Sequence, residues 1–433
     1  MKKKVLIITY YWPPMGGGGV QRWLKTTKYI RDFGWEPVIF TADNAEISIY
    51  DESLISDLPD KLEVIKSKIW EPFGLYKKLM GMKDEKINPG FLQKSRRSSF
   101  LQYISIWIRG NFFIPDAKIF WLQPSVEKIE AYLKENKIDA IISTGPPHTT
   151  HLIANSIISK YNIPWIADFR DPWTNIDFYH KLKLTPFADR KHRSLEKTVL
   201  RNADKIVTVS KSWASDFKHI IDVDPIVIHN GYDPSDFVNK EDLCLDEDFS
   251  ITHIGSLNED RNPYILWKVL AEMIRDNEDF SNNLKIQLIG PIDITVKEDL
   301  SNYGLMDNTV LIESLPHNQV IDYIIKSQIL LLPLNNVPNI DGVIPGKMYE
   351  YIGAKRPILC IGKEDGDAAE IIKATQTGKV VSFSDESKLK NELISMYTSY
   401  KDSSLTLESQ DYTKYSRKLL ASKFANLLDI IAS

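Results

Sequence analysis

The 433-residue chain is long enough for two to three ordinary domains, and 43% hydrophobic with 26% charged residues is the composition of a soluble globular protein. A net charge of −4 gives no global reason to expect a nucleic-acid partner. The two cysteines, Cys244 and Cys360, lie far apart, which argues against a disulfide framework or zinc site and fits a reducing cytoplasm, and no apolar run approaches the ~20 residues that span a bilayer.

The chain opens with MKKK and the apolar run VLIITYYW. Pro13-Pro14 and four glycines follow, not a small-residue cleavage site, so a first β-strand over Lys4–Tyr10 is expected rather than a signal peptide. Tyr11–Gly19 (YWPPMGGGG) reads as a glycine-rich turn. A helix follows over Val20–Phe33, with Val20, Trp23, Leu24, Thr27 and Ile30 on one face and Gly34 beyond its end. With a strand at Pro37–Thr41 this is a βαβ unit with a glycine-rich crossover, the plan of a nucleotide-binding Rossmann half. The glycines lack G-x-G-x-x-G spacing and a strand-end acid, so a dinucleotide is not implied.

Residues 70–118 break that rhythm, with nine Lys/Arg against four acids and interleaved aromatics such as Phe91, Phe100, Tyr103, Trp107, Phe112 and Phe113. Such a stretch suits an anionic membrane or lipid-phosphate acceptor, and equally a solvated helical insertion whose aromatics are core. Strands are expected at Asp139–Thr144, Pro164–Asp168, Lys205–Ser210 and Ile226–His229. In open α/β sheets ligands bind at the carboxyl ends of strands, so His148 and His151 after the first, and the DFRDPW cluster after the second, are candidate site residues. Each histidine also reads as a satisfied structural residue, and the cluster as an internal ion pair.

The acid-rich stretch 240–248 is the expected linker. A second alternation follows, with strands at Ser250–Ile254, Leu284–Ile289, Val310–Glu313, Ile329–Pro333 and Ile358–Ile361. Asp341–Leu359 (DGVIPGKMYEYIGAKRPIL) reads as a tight loop, a short helix after Gly346 and a strand after Pro357. A loop that delivers backbone N–H groups into a helix N-terminus is a place to hold an anion. Glu350, one turn in, would repel a phosphate and suits a neutral diol such as a ribose. Tyr412–Ile431 reads as an amphipathic helix with Leu420, Phe424, Leu427 and Ile431 on one stripe.

The Asp341–Leu359 arrangement resembles the sugar-nucleotide loop of retaining GT-B glycosyltransferases, in particular the large family 4 group. Glu350 matches the second of that family's two glutamates, the ribose binder. The first would fall on Gly342, with Asp341 next door as a substitute. YWPPMGGGGVQR resembles the family's first motif, which lies against donor diphosphate and acceptor, and IHNGYD resembles its turn at the exit from the first domain. GSLNEDRN aligns with the loop that offers two cations to the diphosphate; here those positions are Ser256 and Arg261, so one cation is kept.

The resemblance, running from Tyr10 to about Gly378 with 70–118 outside its general pattern, implies an α/β GT-B fold. Two Rossmann-like domains would face across a cleft, and the last helix would cross back to the first domain. The implied boundaries are 1–240, the acceptor side with its insertion at 70–118; 241–405, the donor-nucleotide side; and 406–433. The implied activity is transfer of a sugar from a nucleotide-sugar to an acceptor hydroxyl with retention, in cell-envelope polysaccharide or glycolipid assembly. A non-hydrolysing sugar-nucleotide epimerase and a non-catalytic binding protein remain open alternatives. The implied catalytic residues are His148, Arg261, Lys347 and Glu350. The implied donor contacts are Gly18, Gly19, Gly255, Ser256, Arg261, Asp341, Gly342, Gly346, Lys347 and Glu350. Arg22, Asp168, Arg170 and Asp171 are expected on the acceptor side. No cofactor or metal is expected; the partners are the donor, a lipid-linked or saccharide acceptor and an anionic membrane surface, not nucleic acid. The expected location is cytoplasmic, or peripheral on the inner face of the cell membrane.

Overall fold

The computed structural model describes residues 2–433 apart from 46, 48, 71–98, 241, 338 and 408, and describes the helix Ser99–Phe112 without the side chains of 99–103 and 105. By its internal contacts the chain divides into two units, Met1–His229 with Arg417–Ser433, and Asn230–Ser416. The basic stretch anticipated at 70–118 lies largely outside the described residues, Lys94, Arg96 and Arg97 among them.

The first unit is built on a seven-stranded parallel sheet, in the order β3-β2-β1-β4-β5-β6-β7. Its strands are β1 Lys3–Ile8, β2 Trp35–Ala42, β3 Glu63–Ser67, β4 Ala140–Gly145, β5 Trp165–Phe169, β6 Lys205–Thr208 and β7 Ile226–Val227. Apolar side chains cover both faces of β1: Leu6 and Ile8 face one buried cluster, Val5 and Ile7 the other. Burial on two faces is what a continuous run such as VLII requires. The helix Gly18–Ile30 follows the glycine-rich turn and ends through a 3-10 turn at Gly34, whose φ of 87° supplies the left-handed cap. The strand order reverses between β1 and β4, so the loops after these two strands open at the switch point where α/β sheets bind ligands.

The helix expected over Tyr412–Ile431 is two elements. A 3-10 turn spans Tyr412–Tyr415, Ser416 is extended, and the helix proper is Arg417–Ile431. The break is where the chain returns to the first unit. Phe424 then packs on Trp23 at 4.9 Å between ring centroids, and Leu420, Leu427 and Leu428 join the same buried cluster as Val5 and Ile7.

The second unit has a six-stranded parallel sheet, β10-β9-β8-β11-β12-β13. Its strands are β8 Phe249–Ile254, β9 Leu284–Ile289, β10 Thr309–Ile312, β11 Ile329–Pro333, β12 Ile358–Ile361 and β13 Gly378–Val381. Here the order reverses between β8 and β11, which places the loops after Ile254 and Pro333 at the switch point. The acid-rich stretch 240–248 is held within this unit: Lys285 pairs with Asp248 at 3.0 Å, and Gln287 donates to Asp246 at 2.7 Å. Among the described residues no helix is long and apolar enough to cross a membrane.

Candidate functional site

At the second unit's switch point, β8 ends on Ile254 and the chain turns sharply at Gly255, whose φ is +94°. Glycine is required there twice over. The left-handed backbone disfavours any side chain, and a Cβ would stand 2.9 Å from the Lys347 ammonium. Lys347 is the second residue of the helix Gly346–Gly353, whose N-cap is Pro345 and whose start has no side-chain cap. The Met348 N–H bonds the Pro345 carbonyl at 3.0 Å, which leaves the N–H groups of Gly346 and Lys347 at the helix start for an anion. The Lys347 side chain reaches back over Gly255 and donates to the Ile254 carbonyl. Burial brings its pKa down to about 7, with the Arg261 charge adding to the effect and Glu350 opposing it.

Arg261 closes the other side of the same turn. Its Nη1 donates to the Ser256 carbonyl at 3.3 Å and its Nε to Asn335 Oδ1 at 2.9 Å. Ser256 itself is exposed. The Lys347 ammonium stands beside Gly255 and Arg261 beside Ser256, so two cations flank the turn. Two cations on one turn, bonded to the Ile254 and Ser256 carbonyls and to the Asn335 amide oxygen, are suited to a diphosphate.

Glu350 is half-buried one turn into the helix, and its carboxylate accepts no hydrogen bond among the described residues. It is available to a diol. Asp341 is ion-paired with Lys363 through one carboxylate oxygen, and Gly342 is buried in the 3-10 turn Ile340–Gly342. A cavity of about 260 Å³ adjoins Arg261, lined among others by Tyr264, Leu334, Ile361 and Phe383.

Two residues of this site carried no signal in the sequence. His253, wholly buried in β8, donates from Nδ1 to the Leu331 carbonyl at 3.1 Å, which leaves Nε2 as the acceptor 3.5 Å from Lys347 Nζ. Burial and the lysine charge hold its pKa well below 6.5, so the ring is neutral. The Tyr351 hydroxyl accepts from Ile254 N–H at 3.1 Å and fixes the short helix to the end of β8. Both sit on apolar-looking segments, where a lone histidine or tyrosine reads as core.

In the first unit, Arg22 and Asp168 do not line a surface. Arg22 is 2% exposed and forms a bidentate pair with Asp168 at 3.0 and 2.8 Å. Trp23 and Thr144 also donate to Asp168, and the Ile228 and His229 carbonyls accept from Arg22. Every strong donor and acceptor direction is used internally, so the pair ties the first helix to β4, β5 and β7, and this corrects its expected place on the acceptor side. Arg170 is a second internal tie. It donates to the Gly19 carbonyl at 2.5 Å and to those of Gly145 and Pro146, and so joins the loops after β1, β4 and β5.

Gly19 is tight, its missing Cβ position 3.1 Å from Tyr11, whereas Gly18 is exposed with open space in front. Asp171 is half-buried and accepts no hydrogen bond among the described residues; burial raises its pKa and Arg170 partly offsets this. His148 is 7% exposed and stacks on Trp173, 4.9 Å between centroids and 4° between planes, with Nδ1 unpartnered. His151 is buried deeper. Trp165 donates to Ser143 Oγ, which is hydrogen-bonded to His151 Nδ1 at 2.7 Å, so His151 is tied into the core.

Comparison with known proteins bears on the fold. Residues 91–236 match the model of Glycosyltransferase Family 4. The match starts at residue 91, so part of the stretch 70–118 lies inside the family's pattern, not outside it as the resemblance implied. No curated relative matches the chain. Anabaena HepE in complex with UDP superposes with a TM-score of 0.58 at 13% identity, covering 99% of this chain and 97% of that one. The fold is GT-B. Two further GT-B neighbours are sucrose-phosphate synthase from Thermosynechococcus elongatus (TM-score 0.58, 12% identity, 100% and 96% covered) and a protein described as a UDP-N-acetylglucosamine 2-epimerase from Listeria monocytogenes (0.56, 12%, 98% and 95%).

Proposed function

We propose that the chain is a retaining glycosyltransferase that moves a sugar from a nucleotide-sugar to an acceptor hydroxyl, in cell-envelope polysaccharide or glycolipid assembly. The observation that carries this reading is the convergence of Lys347 and Arg261 on the Gly255–Ser256 turn, with the unbonded Glu350 carboxylate on the same short helix. The two cations and the open helix start would neutralise the donor diphosphate, and Glu350 would hold the ribose hydroxyls. Charge on the leaving diphosphate grows as the glycosidic bond breaks, so these groups act most strongly in the transition state. A leaving diphosphate oxygen takes the acceptor proton on the face of attack, and no strong protein base, metal or cofactor is needed. On the acceptor side, Asp171 is half-buried with no hydrogen bond among the described residues, Gly18 is exposed, and His148 would hydrogen-bond the sugar. The enzyme would work in the cytoplasm, peripherally associated with an anionic membrane that carries the acceptor lipid.

The HepE neighbour was solved with UDP, which makes UDP-sugars the first donors to try. The test is a thermal-shift screen with UDP-, GDP-, ADP- and dTDP-sugars, followed by NMR of the stabilising donor with and without a cell-envelope extract. Transfer with the extract and an unchanged sugar without it supports the proposal. Because a neighbour is described as an epimerase, inversion at C2 in donor incubated alone is the outcome that favours that second reading. Binding with no turnover in either arm would mark a non-catalytic binding protein.

A further inference from the structure

The first unit carries exposed phenylalanines beside a basic helix face, of which Phe112 also packs edge-on against Trp107 at 5.6 Å between centroids. Phe112, Phe178 and Phe187 are 68%, 48% and 76% exposed. They are brought together by Asn111, which donates to the Lys183 carbonyl at 3.2 Å and accepts from Thr185 N–H at 2.7 Å. Phe112 is next to Asn111, and Phe178 enters the 3-10 turn Tyr179–Leu182 just before that clamp. Phe187 is the second residue of the helix Pro186–Asn202, which Thr185 caps. Gly110 at the end of the preceding helix lies so close that a Cβ would stand 2.8 Å from the Leu182 carbonyl, which holds the two segments together.

The face beside these phenylalanines is basic. Between 178 and 201 the sequence has seven Lys/Arg against two acids. Neither acid neutralises the face: Asp189 is ion-paired with Arg193, and Glu196 is buried and bonded to Thr174. Lys183, Arg190, Lys191, Lys197 and Arg201 are exposed and have no ion pair among the described residues. On the helix, Phe187, Arg190, Lys191, Ser194, Lys197 and Arg201 recur at three- and four-residue spacing, so they form one solvent-facing stripe with the aromatic end leading.

We propose that this face docks on an anionic lipid bilayer, with Phe112, Phe178 and Phe187 entering the headgroup region and the lysines and arginines of the stripe set against lipid phosphates. The proposal refines the membrane part of the function proposed above, and rests on it, by naming a surface. Charge complementarity selects the occupant. A chain of net charge −4 concentrates base here, so the excess is local and not a general solubility device. The chain's own basic segment 71–98, with seven Lys/Arg against three acids, would be repelled by it. Exposed phenylalanines beside a basic face are the composition of interfacial anchors, which lie in the membrane surface without spanning it.

The test is flotation of the full chain with phosphatidylcholine vesicles, with and without phosphatidylglycerol, at low and high salt. Three variants are compared: Lys183→Ser/Arg190→Ser/Lys191→Ser, Phe112→Ser/Phe187→Ser, and Lys94→Ser/Arg96→Ser/Arg97→Ser. Wild type should float only with the anionic vesicles and less at high salt. The first variant should bind about 100-fold more weakly, from about 1 kcal/mol for each base at such a surface. The second should bind at least about 100-fold more weakly where both rings leave water, and keep its salt dependence. Unchanged melting temperatures and unchanged UDP titration in both variants exclude misfolding and keep the donor reading separate. Equal binding to neutral vesicles, no binding at low salt, or a preference for single-stranded RNA over vesicles overturns the proposal. If only the third variant loses binding, membrane association stands and this surface is the wrong one.

Discussion

Lys347 is held by burial and by Arg261 at a pKa of about 7, in reach of the Ile254 carbonyl and of His253 Nε2. A bound diphosphate favours its charged form and raises that pKa, so donor binding should take up a proton at pH above 7. The sign follows: affinity for UDP is flat below about pH 7 and falls as pH rises through and beyond it, by at most about tenfold per unit. Calorimetry in two buffers of different ionisation enthalpy reads the proton directly, and Lys347→Met should remove both the uptake and the slope. His253→Phe, which keeps the volume and loses the acceptor, should shift the slope without unfolding the sheet, and His253→Gln should restore part of it. Glu350→Ala should weaken UDP binding about tenfold to a hundredfold, since a charge-assisted hydrogen bond is worth roughly 1.5–3 kcal/mol. Arg261→Ala should lower turnover more than donor affinity, and an equal effect on UDP and on free uridine would contradict its phosphate role. The Arg22–Asp168 pair has a stability signature instead. Asp168→Ala strands a buried guanidinium and should cost about 3–5 kcal/mol in urea unfolding of the first unit, with no change in UDP affinity per folded molecule.

At the scale of elements, the interior apolar strands were legible because burial on both faces leaves an unbroken run. β9, β11 and β12 lie where the pattern puts them. β3 and β13 were not, because they are short edge strands: EVIKS is partly exposed, and GKVV has only two buried residues. The last helix was read as too long because Tyr412 and Tyr415 continue its apolar pattern, while Ser416, extended between them and the helix, gives no strong breaker signal. The helix Arg417–Ile431 buries Leu420, Phe424 and Leu428 against Trp23 and β1. A chain ending at Ser416 should therefore lose cooperative unfolding of the first unit, seen as early exposure of Trp23 and Trp35 fluorescence, while the Asn230–Ser416 unit keeps its melting behaviour.

For the whole molecule, fold class could be read because two βαβ alternations of similar length, each with a loop motif in the same order, leave few topologies. Arg261, Lys347 and Glu350 stood out in the sequence because they are charges in loop and helix-start motifs, and Arg261 and Lys347 both lie at the Gly255–Ser256 turn. The site was illegible where the partner sits inside a strand, as with His253, or where a charged pair is consumed by the core, as with Arg22 and Asp168. The distinction is physical: a charge in a strand-end motif looks the same in sequence whether it faces a ligand or another charge. The central claim is that the Gly255–Ser256 turn, Lys347 and Glu350 form a nucleotide-diphosphate site, and a calorimetric titration of UDP, GDP, ADP and dTDP into the wild-type chain and into Lys347→Met and Glu350→Ala tests it most directly. At least one nucleotide should bind the wild type and bind each variant tenfold or more weakly; no binding by any of the four, or binding that neither substitution changes, would contradict the account.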